Sequence, residues 1–320
     1  EKCFNLLTFR ASYQGGEDIM WIKETGEIDD RLVFLGTHKT TMYLVKADRY
    51  MLIGGGGQWM VPELDRQIRK YGIEMDRVAY VWVSHSHYDH CGAVPYLRKR
   101  YPWIQVLASR GVAEIFGMEK ALKNMRTFSC KVMEAMGLSM EYDGVSLGFD
   151  EMPVHRSLKE GDQIDLGNNV RFDVYETPGH SRCAATLYEA SRKWLFPGDS
   201  LCFPVGDGSE FLSTATESFI QYIKSLKKLE PLEVSLCGWE HYGAVTGVDA
   251  KDLLGRGIRS TLAFKRFIQE ELEGEKDPDA VAHRMARDWL DKSGFTFLPD
   301  EVMFYISRGM IKNALQEKVD

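Results

Sequence analysis

The sequence predicts an α/β protein whose last quarter is helical. Three observations carry the prediction. Residues 3–54 read almost entirely as strands, strands and amphipathic helices then alternate to about residue 240, and everything from Asp249 onward reads as helix. The opening strands are CFNLLTF (3–9), DIMWIK (18–23), RLVFLG (31–36), TMYLVKA (41–47) and YMLIG (50–54). Each is rich in β-branched or aromatic residues, and turn residues such as Gly15-Gly16 and Asp29-Asp30 separate them.

A run of four glycines follows in GGGGQW (54–59). It lacks the spacing of a dinucleotide fingerprint and the lysine of a phosphate loop, so a flexible turn is expected there. VPELDRQIRKYG (61–72) reads as a helix, with Pro62 in its first turn and Gly72 at its end. VAYVWV (78–83) is a strand, AVPYLRKRY (93–101) a helix, IQVLA (104–108) a strand, and 109–141 a methionine-rich helical stretch. The strands VRFDVYE (170–176), AATLYEA (184–190), KWLFP (193–197) and EVSLC (233–237) come next, with a helix at 216–229 before the last.

Three helices are expected in 249–320. The first starts near Asp249 and carries Leu254, Ile258, Leu262, Ile268 and Leu272 on one face. Asp277-Pro278 supplies a cap and a first-turn proline for the second, which runs to Gly294 through Val281, Met285 and Trp289. Pro299 opens the third. The chain therefore divides into a strand-bearing domain, 1–248, and a helical extension, 249–320. The extension is expected to roof a site at the strand ends, where ligand sites usually open; a remote packing face or a dimer interface is the alternative.

Composition bounds the function classes. Apolar residues make up 44% and aromatics 12%, enough for a substantial core and unlike a disordered chain. A net charge of −7 leaves no electrostatic footprint for nucleic acid. No uncharged apolar run reaches the length that spans a bilayer. The six cysteines (Cys3, Cys91, Cys130, Cys183, Cys202 and Cys237) form no CxxC pair, which suits a reducing compartment, and a cytoplasmic location is expected. The sequence starts at Glu1, so a removed leader peptide stays open. The expected partner is a small-molecule substrate, not a nucleic acid or a membrane, and a homodimer is left open.

The chemistry concentrates in SHSHYDHCG (84–92), directly after the strand VAYVWV. On a helix His85 and His87 would point to nearly opposite sides, whereas on extended backbone residues 85, 87 and 89 share one side. His90 joins them only where the chain turns, and Gly92 with the following helix supplies that turn. Three imidazoles and a carboxylate so close together are costly to bury unless a divalent cation binds them. Neutral imidazoles and carboxylates suit zinc, iron or manganese. A solvated polar loop is the bland alternative. Further candidate ligands stand after later strands: His180 in ETPGH, Asp199 in PGDS and His241 in CGWEHYG. His38, His155 and His283 fall outside this scheme and are expected to be surface or structural residues.

HSHYDH, TPGHS, FPGDS and a final histidine, in that order over residues 85–241, resemble the metallo-β-lactamase-fold hydrolase superfamily. The resemblance implies an αββα sandwich of two mixed sheets flanked by helices, with 1–248 as hydrolase domain. It implies that His85, His87 and His180 hold one metal and Asp89, His90 and His241 the second, with Asp199 bridging. Asp199 suits the glyoxalase II-like branch; true β-lactamases usually carry cysteine there. The sequence departs from many relatives in having Glu240, not glycine, before the last histidine. HYDHCG with PYL, and FLPDE (297–301), resemble the thioesterase of the pseudomonad quinolone-signal pathway, which also carries helices after its hydrolase domain.

Two divalent ions (Zn, Fe or Mn) could hold a bridging hydroxide as nucleophile, so no serine or cysteine is required. Cys91 then reads as a small buried residue, and Asp89 as both ligand and catalytic group that orients water or accepts a proton. Tyr88, Phe203, Trp239 and Tyr242 are candidates to bind substrate and together favour an apolar acyl or aromatic group over a polyanion, although each taken singly reads first as core. The expected function is hydrolysis of a thioester, or of a lactone or other ester. The alternatives are a mononuclear iron persulfide dioxygenase, whose branch shares HxHxDH, and a signalling or interaction protein with vestigial hydrolase activity.

Overall fold

The computed structural model describes residues 20–206, 208, 210–247, 250 and 252–317. The strand expected at 3–9, the Gly15-Gly16 turn, Cys3 and the helix start near Asp249 lie outside the described residues. The chain opens with β1 (Met20–Ile22), β2 (Gly26–Glu27), β3 (Leu32–Gly36), β4 (Thr41–Val45), β5 (Tyr50–Ile53) and α1 (Val61–Lys70). It continues through β6 (Val78–Val83), α2 (Val94–Arg100), β7 (Gln105–Ser109), α3 (Arg110–Phe116), α4 (Glu119–Ala135), the short hairpin β8 (Glu141–Tyr142) and β9 (Val145–Ser146), and β10 (Arg156–Leu158). Then come β11 (Gln163–Gly167), β12 (Val170–Glu176), β13 (Ala185–Glu189), β14 (Trp194–Phe196), β15 (Phe203–Val205) and β16 (Glu210–Leu212). The last elements are α5 (Phe219–Leu229), β17 (Leu236–Gly238), β18 (Ala244–Thr246), α6 (Leu253–Gly274), α7 (Pro278–Ser293) and α8 (Asp300–Gln316).

Two seven-stranded sheets result, ordered β10-β7-β6-β5-β4-β3-β2 and β1-β18-β17-β14-β13-β12-β11. Both are mixed: β5, β6, β7 and β10 pair in parallel, as do β14 and β17, and the remaining pairs are antiparallel. Strand period sorts each strand's side chains into two layers. On β3, Leu32 and Phe34 meet Tyr43, Trp82, Phe172 and Phe196 between the sheets. Val33 and Leu35 point the other way, onto Leu64 of α1 and the layer of α2. Beyond the second sheet, α5 and α6–α8 bury Phe219, Leu226, Phe264, Ile268, Met285 and Met310 with Leu195 and Cys237. Both faces of the central strands are thus covered, which is why β3 and β4 read as unbroken apolar runs rather than alternating ones. Among the described residues no helix is long and apolar enough to cross a membrane.

The stretch 109–141, expected to be helical throughout, is two helices and a strand. Ser109 caps α3 by accepting from Val112 N at 3.1 Å, the helix stops at Gly117, and after α4 Gly137 turns the chain with φ +68°. The C-terminal helices follow their expected signals. Asp277 accepts from Asp279 N at 3.0 Å with Pro278 next, Gly294 closes α7 in the left-handed conformation, and Pro299 precedes α8. The ends of β6, β12, β14 and β17 gather at one edge of the sandwich, where Ala185 N donates to Ser84 O (2.9 Å) and Thr41 N to Glu240 O (2.7 Å). That edge carries the site.

Candidate metal centre

Each candidate ligand stands on a turn just past a strand. The loop after β6 bends back on itself, His90 N donating to His87 O at 3.0 Å. Gly55 and Gly56 of the glycine run hold it there. Gly55 N donates to His90 O (2.9 Å), Gly92 N to Gly56 O (2.6 Å) and Ala93 N to Gly55 O (2.8 Å). A Cβ on Gly55 would lie 2.5 Å from the His90 carbonyl, and one on Gly92 2.6 Å from Gln58 N. The run expected to be a flexible turn is therefore close-packed backbone, and glycine is required because any side chain would push the two segments apart. Cys91 is fully buried, and burial raises its thiol well above the ordinary range, so it stays a neutral space-filling group.

The sequence-predicted ligands converge. His87 Nδ1 lies 3.0 Å from both His85 Nε2 and His180 Nε2. On the other side, His90 Nε2 and His241 Nε2 are 3.1 Å apart, and each is 3.6 Å from Asp89 Oδ2. Asp199 lies between the groups, with Oδ2 3.3 Å from His180 Nε2, 3.3 Å from His90 Nε2 and 3.7 Å from His241 Nε2. Among the described residues three sets could hold a metal ion by their geometry: His85, His87 and His180; His85, His90 and Asp199; and Asp89, His90 and His241.

The far sides of the rings assign their tautomers. His180 Nδ1 donates to Thr214 O (2.8 Å), His241 Nδ1 to Lys39 O (2.6 Å), and His90 Nδ1 to the Glu240 carboxylate (2.7 Å). Neutral rings so protonated turn bare Nε2 lone pairs inward. For His90 and His241 that sets two lone pairs 3.1 Å apart beside two carboxylates, and Asp199 Oδ1 is buried with no hydrogen-bond partner. Such an arrangement needs positive charge within it, either a proton on His90 or a cation, and imidazoles beside carboxylates are donors that fit divalent metals. Burial and the neighbouring imidazoles push His85 well below its usual range; burial lowers His87, and takes His180 down to about 4. All three are thereby kept in the neutral form that metals bind. Burial also works against charge on His90, but Asp199, Asp89 and Glu240 outweigh it and raise that ring well above normal. Burial would raise Asp199 too, yet His90, His241 and His180 hold it far below the usual carboxylate range.

Residues 35–241, more than half of the chain, match the family described as the metallo-beta-lactamase superfamily. The chain belongs to the metallo-beta-lactamase superfamily. A metallo-beta-lactamase fold-containing protein of Sulfurisphaera tokodaii is 27% identical over 223 residues, 68% of this chain and 77% of that protein. The hydroxyacylglutathione hydrolase of Hamiltonella defensa is 27% identical over 202 residues, 63% of either chain, so less than two thirds of that enzyme is spanned. A solved metallo-beta-lactamase family protein from Thermus thermophilus has the same fold, with a TM-score of 0.60 at 17% identity over 87% of this chain and 94% of that one. Superfamily membership and these homologues, which include glyoxalase II (hydroxyacylglutathione hydrolase), support a metal-dependent hydrolase. Helices α6–α8 lie beyond the residues that the family model matches.

In this superfamily member α7, α8 and the loop between them stand over the centre. A cavity of about 490 Å³ leads to His87, Asp89, His180, Asp199 and His241, and is lined above them by Trp289, Phe295, Phe297, Met303, Ile306 and Met310. Tyr88 and Phe203 also line it, as does Phe128 of α4. Two expected substrate-binding residues do not. Trp239 is wholly buried in the core beneath the second sheet. Tyr242 is buried, donates its hydroxyl to Ser293 O (2.8 Å) and stacks on Phe295 with centroids 5.4 Å apart. It supports a lining residue rather than being one.

Phe295 and Phe297 were invisible to motif reasoning. Phe295 belongs to no motif and Phe297 only to FLPDE, which assigns it no role, yet their rings lie 4.7 and 5.9 Å from that of His241. Of the three histidines left out of the ligand scheme, His38 is half-buried while His155 and His283 are exposed. His38 packs between Trp21 and Tyr242, His155 accepts from Val106 N, and His283 stacks on Phe304.

Proposed function

We propose that the chain is a dinuclear metal-dependent hydrolase that cleaves a thioester, or a related ester or lactone, with an apolar acyl group. The observation that carries this reading is the position of Asp199, whose Oδ2 stands 3.3 Å from a nitrogen of each histidine group, where one carboxylate can serve two ions. Two divalent ions held there would acidify water to a nucleophile at neutral pH and stabilise charge on the attacked carbonyl. His85, His87 and His180 would hold one, and Asp89, His90 and His241 the other, with Asp199 between. Asp89 is the partly exposed carboxylate at the cavity floor, placed to orient the attacking water and take its proton.

The chain's own contribution to specificity is the roof. Aromatic and aliphatic side chains favour an apolar acyl or aryl group and exclude bulk water from it. No lysine or arginine lines the cavity among the described residues, which disfavours a polyanion. Kinship with hydroxyacylglutathione hydrolases favours the thioester over other esters. Elemental analysis of the purified chain, combined with a thioester, lactone and phosphodiester panel, tests the reading. Two ions per chain and thioester cleavage are expected. One iron per chain, with oxygen uptake on a persulfide and no ester cleavage, would replace the hydrolase with an oxygenase.

A further inference from the structure

Glu240 is buried, with only 3% of its surface exposed, and is not one of the seven ligands. Its Oε2 accepts from His90 Nδ1 at 2.7 Å, on the side of the ring away from the other ligands. Its Oε1 is buried with no partner. The space it fills is framed by glycines: a Cβ on Gly54 would come 3.2 Å from the Glu240 carboxyl carbon, and one on Gly198 3.5 Å from Oε1. Gly54 belongs to the glycine run and Gly198 to the PGDS turn, so two of the site's own loops border this carboxylate, the tight approach being that of Gly54. The rings of His180 and His241 are held from behind by backbone carbonyls, and His85 Nδ1 faces the Ser84 hydroxyl. Among these four, His90 alone is held by a carboxylate.

We propose that Glu240 is a positioning residue for one ion only, the one held by Asp89, His90 and His241. The carboxylate keeps His90 as the Nδ1–H tautomer, turns Nε2 toward Asp89 and Asp199, and raises its strength as a donor. The ion held by His85, His87 and His180 has no such contact with Glu240. The two positions therefore differ in affinity, with Glu240 determining how firmly the second is kept. The inference rests on the two-ion reading above.

The test is graded chelator challenge of the metal-loaded chain, with ions per chain counted by elemental analysis, for wild type, Glu240→Gln and Glu240→Gly. Gln retains an oxygen that accepts from His90 Nδ1 but removes the charge; Gly removes both. The expected result is that Glu240→Gly gives up one ion at about 10- to 100-fold less chelator than wild type and keeps the other at the wild-type level. Glu240→Gln should fall between, a graded response that simple loss of packing would not produce. Equal retention of both ions in Glu240→Gln and Glu240→Gly overturns the role of Glu240, as does loss of both ions together. Should the glycine variant fail to fold, the near-isosteric glutamine variant decides alone: selective weakening of one ion supports the proposal and no change overturns it. A wild type that holds one ion overturns the two-ion reading itself and is recognised before any variant is compared.

Discussion

The hydroxyl of Tyr88 donates to the backbone carbonyl of Phe297 across 2.8 Å. A residue of the ligand loop thereby ties down the segment between α7 and α8 that covers the metal centre. Lys39 Nζ and the Tyr242 hydroxyl bind Ser293 O from a second direction, and Lys39 O also receives His241 Nδ1. Roof and ligand loops are one bonded unit.

Tyr88→Phe removes one of these ties while leaving the ring in place. A stability loss of about 1 kcal/mol is expected, the usual net worth of such a bond. The telling measurement is hydrogen exchange, which should quicken over 294–298 while metal content stays at the wild-type level. Unchanged exchange there would show that the tie does not hold the roof.

Asp199→Asn keeps the size of the side chain but halves its capacity to accept from two sides. Because Oδ2 approaches both histidine groups, affinity for both ions should fall together and turnover should be lost. Circular dichroism should remain that of the wild type. If only one ion is weakened, Asp199 does not bridge.

Removing the metals should destabilise the fold, since ions held by these clustered imidazoles and carboxylates would bind the folded arrangement and not the unfolded chain. An ion that binds only the folded chain, present at 1,000 times its Kd, contributes about 4 kcal/mol. Calorimetry with and without chelator should show a fall in Tm that added zinc or manganese reverses. An identical Tm in both conditions would falsify metal linkage to folding.

Gly55→Ala tests the backbone clamp. The added methyl would meet His90 O at 2.5 Å and Cys91 Cα at 2.8 Å, both parts of the main chain that cannot swing aside. Overpacking of this kind costs about 1–3 kcal/mol, and here it should also displace the His90 loop and loosen a metal. Wild-type stability and metal content in this variant would return the glycine run to the status of a plain turn.

Much of this protein is local physics, and that part was legible in the chain before any packing was known. Metal chemistry narrows ligands to a few residue types, and rigid strand ends are the places to mount them, so His85, His87, Asp89, His90, His180, Asp199 and His241 could be named from spacing, strand context and family resemblance. The helices α7 and α8 were legible because Asp277-Pro278, Gly294 and Pro299 act on their own backbone within a turn. Whatever depends on segments far apart in the chain came from the packed molecule. Whether an aromatic side chain near a ligand faces cavity or core is set by layer packing: Trp239, two residues before His241, points into the core, while Phe295, more than fifty residues after it, lies against the ring. Likewise the Gly55 contact with His90 and the Glu240 bond to the same residue join positions that no local period or cap relates. Such contacts exist only once two sheets and their helices are packed, because burial and close approach are properties of the assembled layers and not of any single segment.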